Sequence, residues 1–371
     1  MKIFHLTTKS EMGGAQTHIL QLSCYLKENG HEVAIMACPG GWLEVEAKNA
    51  GIKFYPNQFI DNSISPMKNI KAIGLISKAI ADFKPDLVAC HSTKAGILGR
   101  LTIRNKIKTL FTAHGWAFTE GAPLRRKLPV IVMERICSNF CSKIICVSEH
   151  DRELALRCKI APAEKLITLH NGTKVVKDIP PKDYSGTLKV IFLGRLAIPK
   201  DPFTLVKAVA ALPDELKKKI EVSIIGGGPD AGKLNDLIKE LKLQDRVKAT
   251  GYIPVPDLLS ALKESHIFVL VSDWEGLPLS ILEAMSNGMA VIASSVGGVP
   301  ELCRPDCSFL VQRRDVEGVK NALAKLISDP GLAKKMGERA HEMVLEEFSL
   351  EGMLEKTVGV YRSILLSEKA N

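Results

Sequence analysis

The 371 residues are 46% hydrophobic and 25% charged, the composition of a soluble globular protein long enough for two ordinary domains. No apolar run approaches the length that spans a bilayer, and the start, MKIFHLTTKSEMGG, lacks the apolar stretch of a signal peptide. The net charge of +9 is carried by the first half: residues 1–187 hold 26 Lys+Arg against 16 Asp+Glu, residues 188–371 hold 24 against 25.

A basic first half beside a neutral second half predicts different partners for the two. Aromatic residues make up only 5% and do not interleave with the basic ones, which argues against a nucleic-acid stacking platform. The nine cysteines are odd in number and scattered, so they read as reduced thiols of a cytoplasmic chain. Cys137/Cys141 and Cys303/Cys307 are each spaced by one helical turn. Neither pair has a second pair of ligands, and buried packing is the expectation.

In chain order, short β-branched runs alternate with helical patterns. KIFHLTT, HEVAIMA, GIKFY, DLVACH, TLFTAH, KIICVS and KLITLH read as strands, with amphipathic helices over Thr17–Asn29 and Ile70–Phe83. VVKDIPPKDYSG (175–186) is polar, carries a Pro-Pro pair and reads as a linker. Strands resume with LKVIFLG, EVSIIGGG, RVKATGY, IFVLVS, MAVIAS and CSFLV, and the tail from about Leu332 is helical. Continuous apolar strands between helices predict parallel sheets covered on both faces. The expected fold is α/β: two Rossmann-like doubly wound domains, 1–180 and 187–350, then a C-terminal helix over 351–371. Such domains bind ligands at the carboxyl ends of their strands, so the residues just after each strand are the candidates.

After the first strand, Gly13-Gly14 opens a helix whose free amides suit an anion. After LKVIFLG, Gly194 and Arg195 end a strand and Lys200 follows five residues on; a guanidinium fork and an ammonium suit a diphosphate. The triple glycine of EVSIIGGGPDAGKL does not make a dinucleotide fingerprint. Gly232 falls one residue late and no acid ends the following strand, so a turn bordering a nucleotide is the remaining reading. DWEGLPLSILEAMSNG places Glu275 in a loop, Pro278 at a helix start and Glu283 within that helix. Eight residues at helical rise span about 12 Å, the scale of a nucleotide-sugar between its sugar and ribose hydroxyls. Carboxylates accept pairs of such hydroxyls, and amides near Leu279 and Ser280 could hold phosphates between them. His114 ends a strand before Gly115 and is expected to point toward ligand rather than core. No linear metal-binding motif occurs, so no metal is expected.

Taken in this order, GRLAIPKDP, GGGP, TGYIP, EGLPLSILE, GGVPEL and the HNGT ending the first half resemble the retaining GT-B glycosyltransferases of family 4, over nearly the whole chain. The resemblance implies a donor bound mainly by the second domain. Arg195 and Lys200 would lie on its diphosphate, Glu283 on the ribose and Glu275 on the transferred sugar. Gly13, Gly14, Asn171, Gly194, Gly227, Gly276, Leu277, Pro278 and Leu279 would line the donor site, and His114 would lie by the sugar. It implies no cofactor and no metal, and retention by same-face attack, with the leaving phosphate taking the acceptor proton. Asp201 stands where many relatives have glycine, which puts the phosphate contacts there in question.

The segment HGWAFTEGAPLRRKLPVIVMERI also resembles members that build bacterial surface polysaccharides. Arg125, Arg126 and Lys127 before LPVIVM suit an anionic membrane surface. The expected activity is therefore transfer of a hexose or N-acetylhexosamine from a nucleotide-sugar, most simply UDP-linked, to a polyprenyl-diphosphate-linked saccharide. It would take place at the inner face of the cell membrane. A UDP-sugar 2-epimerase of the same architecture and a non-catalytic basic membrane-binding protein are the alternatives.

Overall fold

The computed structural model describes residues 1–61, 65–122 and 124–366, and within these the Arg126 side chain is not described. The chain divides into two compact units, Met1–Asn171 together with the segment from Gly352 onward, and Gly172–Glu351.

The first unit runs β1 (Lys2–Leu6), α1 (Gly14–Glu28), β2 (Glu32–Ala37), α2 (Trp42–Asn49), β3 (Lys53–Pro56), α3 (Pro66–Phe83), β4 (Leu87–His91), α4 (Thr93–Ile103), β5 (Lys108–Ala113), α5 (Leu124–Ser138), β6 (Lys143–Cys146), α6 (Glu149–Arg157) and β7 (Leu166–Thr168). Its seven strands pair in parallel in the order β3-β2-β1-β4-β5-β6-β7. Each expected strand is present, because runs such as LVACH are buried at every position and only a sheet covered on both faces hides both sides of a strand. Phe4, Leu6, Val88, Phe111 and Ile144 belong to this core. Within it Arg100 and Glu134 form a fully buried ion pair at 2.6 Å, with the guanidinium 4.2 Å from the Phe111 ring centre.

The second unit runs β8 (Leu188–Leu193), α7 (Pro202–Ala210), α8 (Asp214–Lys217), β9 (Ile220–Ile225), α9 (Ala231–Glu240), β10 (Val247–Gly251), α10 (Val255–Glu264), β11 (Ile267–Leu270), α11 (Leu279–Ser286), β12 (Ala290–Ser294), α12 (Val299–Leu302), β13 (Ser308–Val311), α13 (Val316–Ser328) and α14 (Pro330–Glu347). Its six strands are also parallel, in the order β10-β9-β8-β11-β12-β13. The last helix, α15 (Leu350–Leu366), falls largely with the first unit. Its Tyr361 is fully buried, with its ring centre 6.4 Å from that of His5 on β1.

Residues 175–186 are not a free linker. The chain passes from one unit to the other at Asn171–Gly172, and the Pro-Pro segment is pinned along the second unit. The Val176 amide donates to Ser286 Oγ at 2.9 Å, and His266 Nε2 lies 3.0 Å from the Asp183 carbonyl. Lys182 Nζ donates to the Asn287 and Gly288 carbonyls at 2.7 and 3.2 Å, capping the end of α11. Burial lowers the Lys182 ammonium to about 7. Polarity and proline indicate absent periodicity, but they do not indicate absent contact.

Candidate functional site

Both sheets reverse their strand order next to a first strand, at β1/β4 and at β8/β11, and the candidate residues follow those strands.

In the second unit the loop after β8 is sewn to the end of β11. The Asp201 amide donates to the Val271 carbonyl at 2.9 Å, and the Asp273 amide donates to the Pro199 carbonyl at 2.8 Å. This stitching brings Lys200 against Glu275: Nζ to Oε1 is 2.6 Å, with both side chains mostly buried. Arg195 is exposed at the end of the same strand and pairs with no acid among the described residues. Asp201 is turned into α7, where its carboxylate accepts from the Thr204 amide at 3.2 Å and from the Thr204 hydroxyl at 2.6 Å. It serves as a helix cap, which directs its charge into α7.

The triple glycine has a packing explanation. A Cβ on Gly226 would stand 2.0 Å from the Gly194 carbonyl oxygen, and one on Gly228 would stand 2.2 Å from the Leu196 carbonyl oxygen. Gly227 packs under the Tyr252 ring, whose hydroxyl donates to the Gly227 carbonyl at 3.3 Å. These glycines hold the β9–α9 turn against the Arg195 loop. The GGVPEL segment acts likewise on the other side. Gly297 has φ +54° and a Cβ there would meet the Glu275 carbonyl oxygen at 1.9 Å, while the Gly298 amide donates to the Gly276 carbonyl at 2.9 Å. The Glu275 loop is thus braced from behind. Asp273, which the sequence motifs did not single out, is clamped by Arg314 through two bonds of 2.9 and 2.7 Å.

Leu277 and Pro278 are buried at the start of α11, and Leu279 and Ser280 form its first turn. Glu283 stands among Ile281, Leu282, Ala284 and Met285, all buried. Its carboxylate has no cation and no hydrogen-bond donor among the described residues. Burial therefore raises it to about 7. An unpaired, desolvated carboxylate is costly unless donors are brought to it. A cavity of about 320 Å³ opens beside the loop, lined by Lys200, Asp201, Thr204, Asp273 and Arg314. Neither Arg195 nor either glutamate lines it, so it is not assigned to the same ligand.

In the first unit Gly13 precedes α1 in extended conformation and Gly14 begins the helix. Asn171 is buried and is the last residue of this unit before the crossing. His114 lies one residue past β5. Its ring is half-buried and not simply turned away from the core: Nε2 lies 3.0 Å from His91 Nδ1, and His91 Nε2 lies 3.1 Å from His5 Nδ1. His18 of α1 packs edge-on against His114, with ring centres 4.9 Å apart. Burial holds all four imidazoles neutral, with His5 lowered to about 3, His18 to about 4, and His91 and His114 well below the ordinary value. His18, His91 and His114 can each offer a nitrogen within 4.8 Å of the others, a spacing that could hold an ion. The sequence reading, which searched linear spacings, missed this cluster. The available signal was a histidine inside each of the apolar runs IFHL and LVACH.

Helix α5 carries an exposed apolar stripe, part of which (Leu128 and Val132) lies in the LPVIVM run that follows the basic cluster. Leu124, Leu128, Val132 and Ile136, four residues apart, are 79%, 69%, 52% and 45% exposed. Arg125 is exposed beside them. The expected Arg126 contact lies outside the described side chains. No described helix is long and apolar enough to cross a membrane.

Comparison with known proteins adds to this geometry. Residues 178–343 match the family described as Glycosyl transferases group 1, and residues 12–176 match Glycosyltransferase Family 4. The UDP-Gal:alpha-D-GlcNAc-diphosphoundecaprenol alpha-1,3-galactosyltransferase of Escherichia coli is 26% identical over 99% of this chain and 98% of its own. The O-antigen biosynthesis glycosyltransferase WbnH of Escherichia coli is 26% identical over 97% and 98%. The crystal structure of Anabaena HepE in complex with UDP and glucose superposes with a TM-score of 0.82, covering 98% of this chain and 100% of that one at 18% identity.

Proposed function

The chain is a family 4 glycosyltransferase of the GT-B fold, and from that premise we propose that it transfers a hexose or N-acetylhexosamine, with retention, from a UDP-sugar to a polyprenyl-diphosphate-linked saccharide. The observation that carries the reading is the pair of glutamates flanking the start of α11. Glu275 is charge-paired with Lys200, and Glu283 is desolvated without a partner.

In this reading the Glu283 carboxylate accepts the two ribose hydroxyls, whose donors supply what burial removed. Lys200 spends one N–H on Glu275 and has two others for diphosphate oxygens, while exposed Arg195 adds a fork. Both cations stabilise the negative charge that grows on the leaving diphosphate, and they do so most strongly in the transition state. Glu275 orients the transferred sugar, and the acceptor oxygen attacks from the face the diphosphate leaves, passing its proton to the departing phosphate. We further propose that His114 contacts the transferred sugar. This reading calls on no metal.

The relatives named for O-antigen and diphosphoundecaprenol chemistry support a lipid-linked acceptor of bacterial surface polysaccharide synthesis. The exposed stripe of α5, with Arg125 and Lys127 on the same helix, supports docking on the anionic inner face of the cell membrane.

Calorimetric titration with UDP, GDP and ADP, without metal, tests the donor site. UDP binding that is lost in Arg195→Ala supports it, and no binding of any of the three removes it. Products are then analysed with donor alone and with a polyprenyl-diphosphate-linked sugar. Sugar conversion without acceptor would replace transfer by epimerisation.

A further inference from the structure

The histidine chain of the first unit has more structure than a contact to sugar requires. β4 lies between β1 and β5 in the sheet, with His5 in register with Ala89 and His91 in register with Thr112. Rings on β1 and β4 and one just past the end of β5 thereby meet end to end. His5 and His91 are fully buried, whereas His114 is half-buried, so the chain leads from the core to an accessible end.

Each neutral imidazole carries one proton, and each of the two bonds needs one donor. Two nitrogens that both lack a proton, or both carry one, cannot bond at 3.0 or 3.1 Å. Because His91 has a single proton, its tautomer couples the two bonds, and only two arrangements satisfy both. In the outward arrangement His5 Nδ1–H donates to His91 Nε2, His91 Nδ1–H donates to His114 Nε2, and His114 carries its proton on Nδ1. The inward arrangement reverses every bond and ends with an N–H on His5 Nε2. That atom is buried and has no partner among the described residues. A buried N–H without an acceptor is the rarer and costlier defect, and the outward arrangement leaves only a lone pair there. His18 does not compete, since neither of its nitrogens bonds a described residue.

We propose that His5 and His91 are positioning residues that hold His114 as its Nδ1–H tautomer, so that its accessible side presents a proton to an oxygen of its ligand. The tautomer assignment stands on the first unit alone. Its consequence for transfer rests on the proposed contact of His114 with the sugar.

The test is nitrogen-15 NMR of the full chain labelled at histidine, at neutral pH and without substrate, with His114 assigned by the signal lost in His114→Asn. The expected spectrum has a pyrrole-like Nδ1 and a pyridine-like Nε2 for His114. The opposite pattern in the wild-type protein overturns the proposal, whatever the variants do. His91→Leu is expected to shift His114 toward the Nε2–H form, and His91→Gln, whose amide can donate to His114 and accept from His5, to restore Nδ1–H. An unchanged His114 in a folded His91→Leu protein also overturns it. In the transfer assay His91→Leu is expected to lower kcat about 10–100-fold, with KM for the donor little changed and partial rescue by His91→Gln. A shifted tautomer with an unchanged kcat would keep the relay and remove His114 from the reaction.

Discussion

Replacing Glu283 by Gln should make the free protein more stable and its nucleotide site weaker. The carboxyl is raised from 4.5 to about 7 by burial. A change of that size corresponds to about 3 kcal/mol. Solvent reaching the half-buried side chain screens part of it, leaving about 2 kcal/mol. The sign follows from proton binding. Between the unfolded value of 4.5 and the folded value of about 7, the folded chain holds a proton the unfolded chain has lost. Stability therefore falls as pH rises through that window, and above it the penalty is complete. Gln carries no charge and escapes the penalty. Urea unfolding of both proteins should show Glu283→Gln more stable by about 2 kcal/mol at pH 8 and nearly equal to wild type at pH 4.5. On the same samples, UDP affinity at pH 8 should fall about tenfold or more, the loss of hydrogen bonds to a charged acceptor. A variant less stable than wild type at pH 8, or one with the same pH dependence, refutes the argument from unpartnered burial. A stabilised variant that keeps its UDP affinity leaves the electrostatics standing and excludes Glu283 from ribose binding.

Lys200→Met and Glu275→Gln should each destabilise the protein by about 1–3 kcal/mol, with the double variant less destabilised than the sum; strict additivity in a denaturation cycle would show that the 2.6 Å pair is not coupled. Arg100→Met strands the fully buried Glu134 and should cost about 3–5 kcal/mol, read as a lowered unfolding midpoint; a loss under about 1 kcal/mol would contradict the buried pair. Leu128→Ser with Val132→Ser should leave the melting temperature nearly unchanged, because both side chains are already exposed, while abolishing co-sedimentation with anionic vesicles; undiminished co-sedimentation removes α5 from the membrane contact. Gly228→Ala should lower both stability and UDP affinity, since a Cβ there collides with the Leu196 backbone beside Arg195; an unperturbed Kd would mean that the two turns move independently.

All thirteen strands were legible as short runs between helices; central strands such as β4, β11 and β12 are almost continuously apolar because both their faces are buried, while the edge strands β3 and β10 are partly exposed. The candidate loops of the second unit were legible because they follow strands: Arg195, Lys200 and Glu275 stand in such loops, and Glu283 lies in the second turn of the helix that the Glu275 loop leads into. Local pattern could not show how the 175–186 segment is held, because its hydrogen bonds to the Ser286 hydroxyl and to the Asn287 and Gly288 carbonyls just past α11, about 100 residues away, leave no periodicity in the segment itself.

What the sequence determined by itself was therefore the alternation, the parallel sheets and the candidate loops, since each depends on burial within a short window. Tertiary structure alone decided which side chains meet. Lys200 and Glu275 are 75 residues apart, and His5 and His91 are 86 apart; each pair is joined only by strand order in its sheet. It also decided that Asp201 caps a helix and that Glu283 stands without a partner. Charge, tautomer and proton affinity are properties of surroundings, and distant parts of the chain supply those surroundings only once it has folded.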